Sequence, residues 1–133
     1  MVRLMMHYIP ASYSELKQVM GNNPCLFHGL TKEREVKFRE WLPNNMHIYN
    51  AFVKYATELR CNGNREYYSA RAIWERLRWD TWLQDSDGPP PKISDLNMPF
   101  VSWLSMEAEP QLRGMFRKRI KQDEEEELFE LVG

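Results

Sequence analysis

The stretch "EYYSARAIWERLRWDT", residues 66–81, determines the architecture that we expect for this chain. Four apolar side chains in it follow the i, i+3, i+4, i+7 spacing of a helix that buries one face: Ala70, Ile73, Trp74 and Leu77. Ser69 precedes them and suits the N-cap position, because a serine hydroxyl accepts a hydrogen bond from a backbone N–H of the first turn. We therefore predict a helix that begins after Ser69 and places Trp74 in the core.

The same stretch holds three arginines, Arg71, Arg76 and Arg78, which lie off the apolar stripe. Glu75 lies four residues after Arg71 and partly neutralises this polar face. One interpretation is a surface that contacts phosphate or an acidic partner. The other is the ordinary solvated edge of a core helix, and the sequence alone leaves both open.

Four further segments show helical spacing between residues 12 and 110. The expected starts are Ser12, Thr31, Asn44 or Asn45, and Asp95 or Asn97, and the expected stops are Gly21, Pro43, Gly63 (as a left-handed cap) and Pro110. Short strands are expected at 65–68 and 92–94, and either a strand or a helical turn at 115–121. The sequence thus predicts a mainly α domain of about five helices.

Composition indicates one domain, because the chain has 133 residues of which 43% are hydrophobic and 28% charged. No apolar run approaches the roughly 20 residues that span a bilayer, and the N-terminus lacks the pattern of a signal peptide. Cys25 and Cys61 lie far apart, so we expect reduced thiols in a cytoplasmic protein, with a disulfide between them as the alternative.

Catalytic and metal motifs are not evident in the sequence, so we expect neither enzyme activity nor a cofactor. His7, His28 and His47 are scattered and form no metal-ligand spacing with the two cysteines. Cys25 and His28 lie three residues apart, which also fits a Cys–His nucleophile. We expect structural roles for both, because a catalytic pair is defined by its arrangement in space.

Charge divides the chain into two parts. Residues 1–122 hold all 18 lysines and arginines and 13 of the 19 acids, so this expected helical domain has a formal charge of +5. Residues 123–133 hold the other six acids and are expected to form a flexible acidic tail. The tail either screens the basic cluster at 117–121, docks in a partner's groove, or only keeps the chain solvated.

Two stretches, residues 67–81 and 91–119, resemble small proteins encoded by phages and prophages, most of which have no assigned function. The shared pattern is a Tyr-Ser-Ala-Arg-Ala-Ile helix that ends in Leu-Arg-Trp, a Lys-hydrophobic-x-x-x-Asn segment, a second helix, and a Gly-x-Phe-x-x-Arg close. Here these segments are residues 68–73, 77–79, 92–97 and 114–119. In the second helix, residues 100–103 depart from the family's aromatic-Ala-Arg. The resemblance implies a phage-type accessory protein and no catalytic residues.

The element order in the second half suggests a minimal winged helix-turn-helix, with residues 69–79 as the supporting helix and 96–109 in the reading position. The expected phosphate contacts are Arg71, Arg76, Arg78, Lys92, Arg113, Arg117, Lys118 and Arg119. Asn97 and Ser102 are the polar side chains near the reading helix.

From these observations we expect a non-enzymatic protein that binds nucleic acid, with duplex DNA as its partner. The alternative is a protein-binding inhibitor or adaptor that acts on a host enzyme or defence complex. Neither interpretation involves a membrane, and the sequence does not indicate an oligomeric state.

Overall fold

The computed structural model describes residues 9–84 and 94–118, which contain five α-helices and three short 3₁₀ turns. The helices are α1 (Tyr13–Asn22), α2 (Lys32–Trp41), α3 (Met46–Asn62), α4 (Ala70–Gln84) and α5 (Met98–Ala108). The 3₁₀ turns are Leu42–Asn44, Asp95–Asn97 and Pro110–Leu112. The prediction of a mainly α fold with about five helices is confirmed. The expected tail at 123–133 lies outside the described residues.

Two of the predicted N-caps form as expected. The Ser12 hydroxyl accepts a hydrogen bond from the backbone N–H of Glu15 at 3.3 Å. The Ser69 hydroxyl accepts one from the N–H of Ala72 at 3.2 Å, so α4 begins where the sequence places it. Thr31 occupies the N-cap position of α2 without a side-chain bond to the helix. Both serines satisfy a backbone donor that the first turn of a helix leaves unpaired.

Helix α3 ends differently from the prediction. It stops at Asn62, but Gly63 has φ −100° and ψ 166°, which is extended backbone and not a left-handed cap. Glycine is needed at this position for another reason, because a Cβ atom here would collide with the Tyr68 hydroxyl. At the start of α3, the Asn45 side chain donates to the carbonyl of Trp41 at 2.8 Å and does not cap the helix.

The strand predicted at residues 65–68 is wrong, since the described residues contain no strand there. The backbone N–H of Tyr68 instead donates one isolated hydrogen bond to the carbonyl of Met115, at 3.0 Å. Residues 115–118 form neither a strand nor a helical turn, and Lys92 and residues 119–121 lie outside the described residues. Helix α1 also continues one residue past its predicted stop at Gly21.

Helix α5 lies at the centre of the core. Its residues 100–106 are all buried, and it packs directly against α1, α3 and α4. The ring of Phe100 stacks on that of Phe38 from α2, with centroids 5.1 Å apart and planes 17° apart. Phe27 adds an edge contact to the same two rings. One short helix therefore contacts all four helices that precede it.

Trp74 is fully buried, which confirms the stripe predicted for α4. Its indole ring meets Phe52 of α3 at a centroid distance of 6.2 Å. The helical spacing in α2 and α3 also predicts apolar contacts for Val36 and Leu59, and both predictions are wrong because these side chains are exposed.

The winged helix-turn-helix stays a prediction. Helices α4 and α5 follow each other in the expected order, and residues 85–93 between them lie outside the described residues. Because residues 100–106 are buried, the exposed surface of α5 is confined to its two ends. Among the described helices, none is long and apolar enough to cross a membrane.

Candidate functional site

A groove of about 690 Å³ opens between four parts of the fold. Its walls come from the start of α2, the start of α4, the segment from Asp95 to the first half of α5, and the backbone at 116–117. Three arginines line it, namely Arg34, Arg71 and Arg117. Lys118 does not line the groove itself, but its Nζ is 5.1 Å from the centroid of the ring of Trp103, which does.

These four cations lack a carboxylate partner among the described residues. The acid in the groove wall, Asp95, already forms an ion pair with Nη2 of Arg78. Positive charge in the groove is therefore not cancelled by the acids that the structure places around it. Such an uncompensated concave surface raises the local concentration of anions.

The N-terminus of α4 adds to this potential. Ser69, Ala70 and Arg71 line the groove, so the first turn of a 15-residue helix faces it. That first turn contains no acidic residue. The backbone N–H groups at a helix N-terminus carry partial positive charge, which favours a nearby anion.

Aromatic side chains lie among the cations. Tyr67 is 43% exposed, and the guanidinium carbon of Arg117 lies 4.4 Å from the centroid of its ring. Tyr68 is half-buried, and its hydroxyl accepts a hydrogen bond from the N–H of Arg65 at 3.0 Å. The bond from Tyr68 to the carbonyl of Met115 holds these two tyrosines against the segment that contains Arg117.

Comparison with protein-family models, with curated proteins and with solved structures finds no match to this chain.

The site is therefore defined by its geometry alone, and the resemblance to phage-encoded proteins stays a prediction. Of the residues expected to contact phosphate, the structure brings Arg71, Arg117 and Lys118 to this groove. Arg113 is exposed but does not line it, and Asn97 is half-buried at the start of α5. Lys92 and Arg119 lie outside the described residues.

The other two arginines of α4 have partners within the fold. Arg76 lies over the Tyr55 ring at 4.6 Å, and its Nε is 3.7 Å from the carboxylate of Asp80. Arg78 binds Glu75 at 3.1 Å and also pairs with Asp95. The polar face of α4 is thus divided, with Arg71 directed to the groove and the other two engaged in intramolecular contacts.

Sequence reasoning missed three lining residues. Arg34 comes from α2, in the half of the chain that the resemblance does not cover. Tyr67 was assigned to a short strand, and Leu96, which is 50% exposed, was only included in the reading helix at 96–109. The run of two tyrosines before the Ser69 cap was an available signal, since adjacent tyrosines in a loop cannot both enter the core.

Other candidate chemistry lies away from the groove. Among the described residues, no cluster of three His, Cys, Asp or Glu side chains could hold a metal ion. Cys25 and Cys61 are both free thiols. Cys25 and His28 are linked through the backbone, where the N–H of His28 donates to the carbonyl of Cys25 at 3.0 Å, and both side chains are exposed.

Among the residues that the structure describes, the pKa values of Glu109 and Tyr55 are shifted, and neither residue lines the groove. Burial raises the pKa of the Glu109 carboxyl, against the opposing effect of hydrogen bonds from Tyr49 and Gln111. Burial also raises the pKa of the Tyr55 hydroxyl, and its 2.7 Å bond to Asp80 acts in the same direction. The groove is suited to binding an anion by positive charge, because three arginines line it.

Proposed function

We propose that this protein is a non-enzymatic, phage-type accessory protein that binds nucleic acid through the groove between α2, α4 and α5. The observation that supports the proposal is the set of four cations at one opening, none with a carboxylate partner among the described residues. Phosphate contacts of this kind give affinity that is independent of base sequence. We expect such a protein to act in the cytoplasm of a host cell.

The mixture of arginines and aromatic rings favours an unpaired strand over the duplex DNA that the element order suggests. Bases of a single strand stack on exposed aromatic side chains, while the backbone runs along a positively charged groove. Tyr67 is exposed and lines the same groove as Arg34, Arg71 and Arg117, so it can accept such a base. Duplex recognition through α5 has less support, since residues 100–106 of that helix are buried.

Fluorescence anisotropy with a labelled single-stranded oligonucleotide and the matching duplex tests the proposal. We expect binding of the single strand to be tighter, and to weaken steeply between about 50 mM and about 300 mM salt. Changing Arg71, Arg117 and Lys118 together to Ala should remove most of this affinity. The matched control changes Lys17, Lys37 and Lys54 to Ala, which removes the same charge from exposed positions outside the groove.

Equal losses in the two triple variants would show that binding depends on net charge and not on the groove. Absence of binding to either oligonucleotide at low salt would refute nucleic-acid binding altogether.

A protein-binding inhibitor or adaptor is the second candidate, because the groove also contains exposed apolar surface. Leu96 is 50% exposed in its wall, next to the half-buried Met98. An apolar protein interface depends little on salt. A pull-down from host lysate with and without nuclease separates the two candidates: capture that survives nuclease and high salt, and is lost in Leu96→Asp, supports the protein partner.

A further inference from the structure

The chain leaves the described fold at the edge of the groove. Met115 and Phe116 are buried, and Phe116 N–H contacts the sulfur of Met106 at 3.3 Å, so the backbone is anchored there. The next residue, Arg117, lines the groove, and Lys118 lies over Trp103. The segment after residue 118 therefore starts beside the four cations.

This C-terminal segment carries charge opposite to that of the groove. Residues 123–127 are five consecutive acids, and Glu130 is a sixth. Residue 123 is five positions after Lys118, so an extended chain places the first acid up to about 17 Å from that residue. Leu128 and Phe129 come directly after the five acids, and they match the exposed apolar surface that Leu96 contributes.

We propose that residues 123–129 of this chain occupy the groove when no other ligand is bound, with their carboxylates on Arg34, Arg71, Arg117 and Lys118 and with Leu128 and Phe129 against Leu96. This inference rests on the proposed function, because it makes the tail a competitor of nucleic acid for one site. The groove is then self-blocked, and a ligand must displace the tail to bind.

The tail is favoured over an external acidic peptide because it is attached beside the site. Only four residues separate Lys118 from the first acid, and so short a connection gives an effective concentration on the order of 1 mM, which a free peptide does not reach at ordinary levels. If the tail binds with an intrinsic Kd of about 100 µM, it lowers the apparent affinity of a competing ligand about tenfold. Leu128 and Phe129 distinguish docking from simple screening, because screening of the groove's positive charge needs only the acids of the tail.

The test compares three chains: the full chain, a chain truncated after Lys121, and the full chain with Leu128→Ser and Phe129→Ser. Truncation changes the net charge from −1 to +5. We expect truncation to tighten binding of the single strand about tenfold at low salt. The double serine variant keeps all six acids, and it should recover a measurable part of that gain. If the serine variant behaves like the full chain, the tail acts by charge alone and docking is refuted.

A second measurement does not depend on nucleic acid. A labelled peptide of residues 122–133 is titrated with the truncated chain and with its Arg71/Arg117/Lys118→Ala variant, each checked by thermal unfolding. We expect binding near 100 µM that the variant loses. No binding, or equal binding by both chains, overturns the proposal. If the peptide binds as expected while no oligonucleotide binds any chain, the docked tail stands and the nucleic-acid function falls.

Discussion

Arg117 and Tyr67 form one unit at the rim of the groove, with the guanidinium carbon 4.4 Å from the ring centroid. The two residues are fifty positions apart in the chain. The backbone hydrogen bond from Tyr68 to Met115 joins the two segments that contain them. This contact presents a cation and an aromatic face at the same point, which suits a nucleotide better than it suits an isolated phosphate.

Removing the Tyr67 ring should weaken binding of a single strand. We expect Tyr67→Ala to cost about 1–3 kcal/mol of binding free energy, the range found for a stacked base. Tyr67→Phe keeps the ring and should bind nearly as the unchanged protein does. Anisotropy titrations give both values. Because Tyr67 is exposed, Tyr67→Ala should change the free energy of unfolding in urea by no more than about 0.5 kcal/mol. A larger change would assign the ring to the core instead.

Trp74 should be among the most costly residues to truncate. Its side chain is fully buried against Phe52, so Trp74→Ala should lower the free energy of unfolding by about 3–5 kcal/mol. Its indole N–H has no acceptor within the described part of the chain, so Trp74→Phe gives up no hydrogen bond and should cost clearly less. Urea denaturation followed by circular dichroism measures both. A cost below about 1 kcal/mol for the alanine variant would contradict the packing described for α4.

The arginines of α4 should separate into two classes. Arg71→Ala should leave thermal stability nearly unchanged and weaken oligonucleotide binding. Arg78→Ala should lower stability by up to about 1 kcal/mol, because it breaks partly exposed pairs with Glu75 and Asp95. A double-mutant cycle with Asp95→Asn isolates the second pair. A stability loss from Arg71→Ala with binding intact would reverse the assignment.

Gly63 should tolerate no side chain while Tyr68 keeps its hydroxyl. A Cβ at this position meets that hydroxyl and also lies 2.9 Å from the carbonyl oxygen of Leu59. We expect Gly63→Ala to cost about 1–3 kcal/mol of stability, the usual range for an inserted atom without space. The same change made in a Tyr68→Phe background should cost less, because one of the two collisions is gone. Equal costs in both backgrounds would show that the Leu59 carbonyl alone sets the penalty.

Glu109 should make stability fall as pH rises through the weakly acidic range. Its pKa is raised above the value of 4.5 of an unperturbed glutamate, chiefly by burial. Between that value and the higher folded pKa, the native state holds a proton that the unfolded chain has released, so stability decreases with pH across this window. Glu109→Gln should remove this contribution, and a glutamine oxygen can still accept the bond from Tyr49. Melting temperatures at pH 4 and pH 7 check this. The melting temperature of the variant, relative to that of the unchanged protein, should be higher at pH 7 than at pH 4. The same difference at both pH values would contradict the prediction.

The helices could be predicted because their determinants are local. Ser12 and Ser69 each cap a helix with an atom three residues away, and the stripe around Trp74 repeats within one helix. Gly63 was misassigned because its requirement is not local. The side chain that excludes a Cβ there belongs to Tyr68, on the far side of a loop.

The groove could be predicted only in part, for the same reason. Arg71 and Arg117 stood out as basic residues in the second half, but nothing in the sequence placed Arg34 beside them. Nor could spacing show that Arg78 is engaged with Asp95, seventeen residues away, while Arg71 has no carboxylate partner in the described part of the chain. Charge clusters identify candidate cations, and the fold decides which ones remain available to a ligand.

The central position of α5 has a consequence for how the chain is made. Helices α1 to α4 all precede it and all pack on it, with Phe38 and Phe100 in direct ring contact. A ribosome adds roughly 5–20 residues per second, so the apolar faces of four helices leave the exit tunnel before the segment that covers them. Synthesis therefore passes through a stage in which four helices exist without the helix that they pack against, and a nascent chain stalled before Met98 should be a substrate for chaperones.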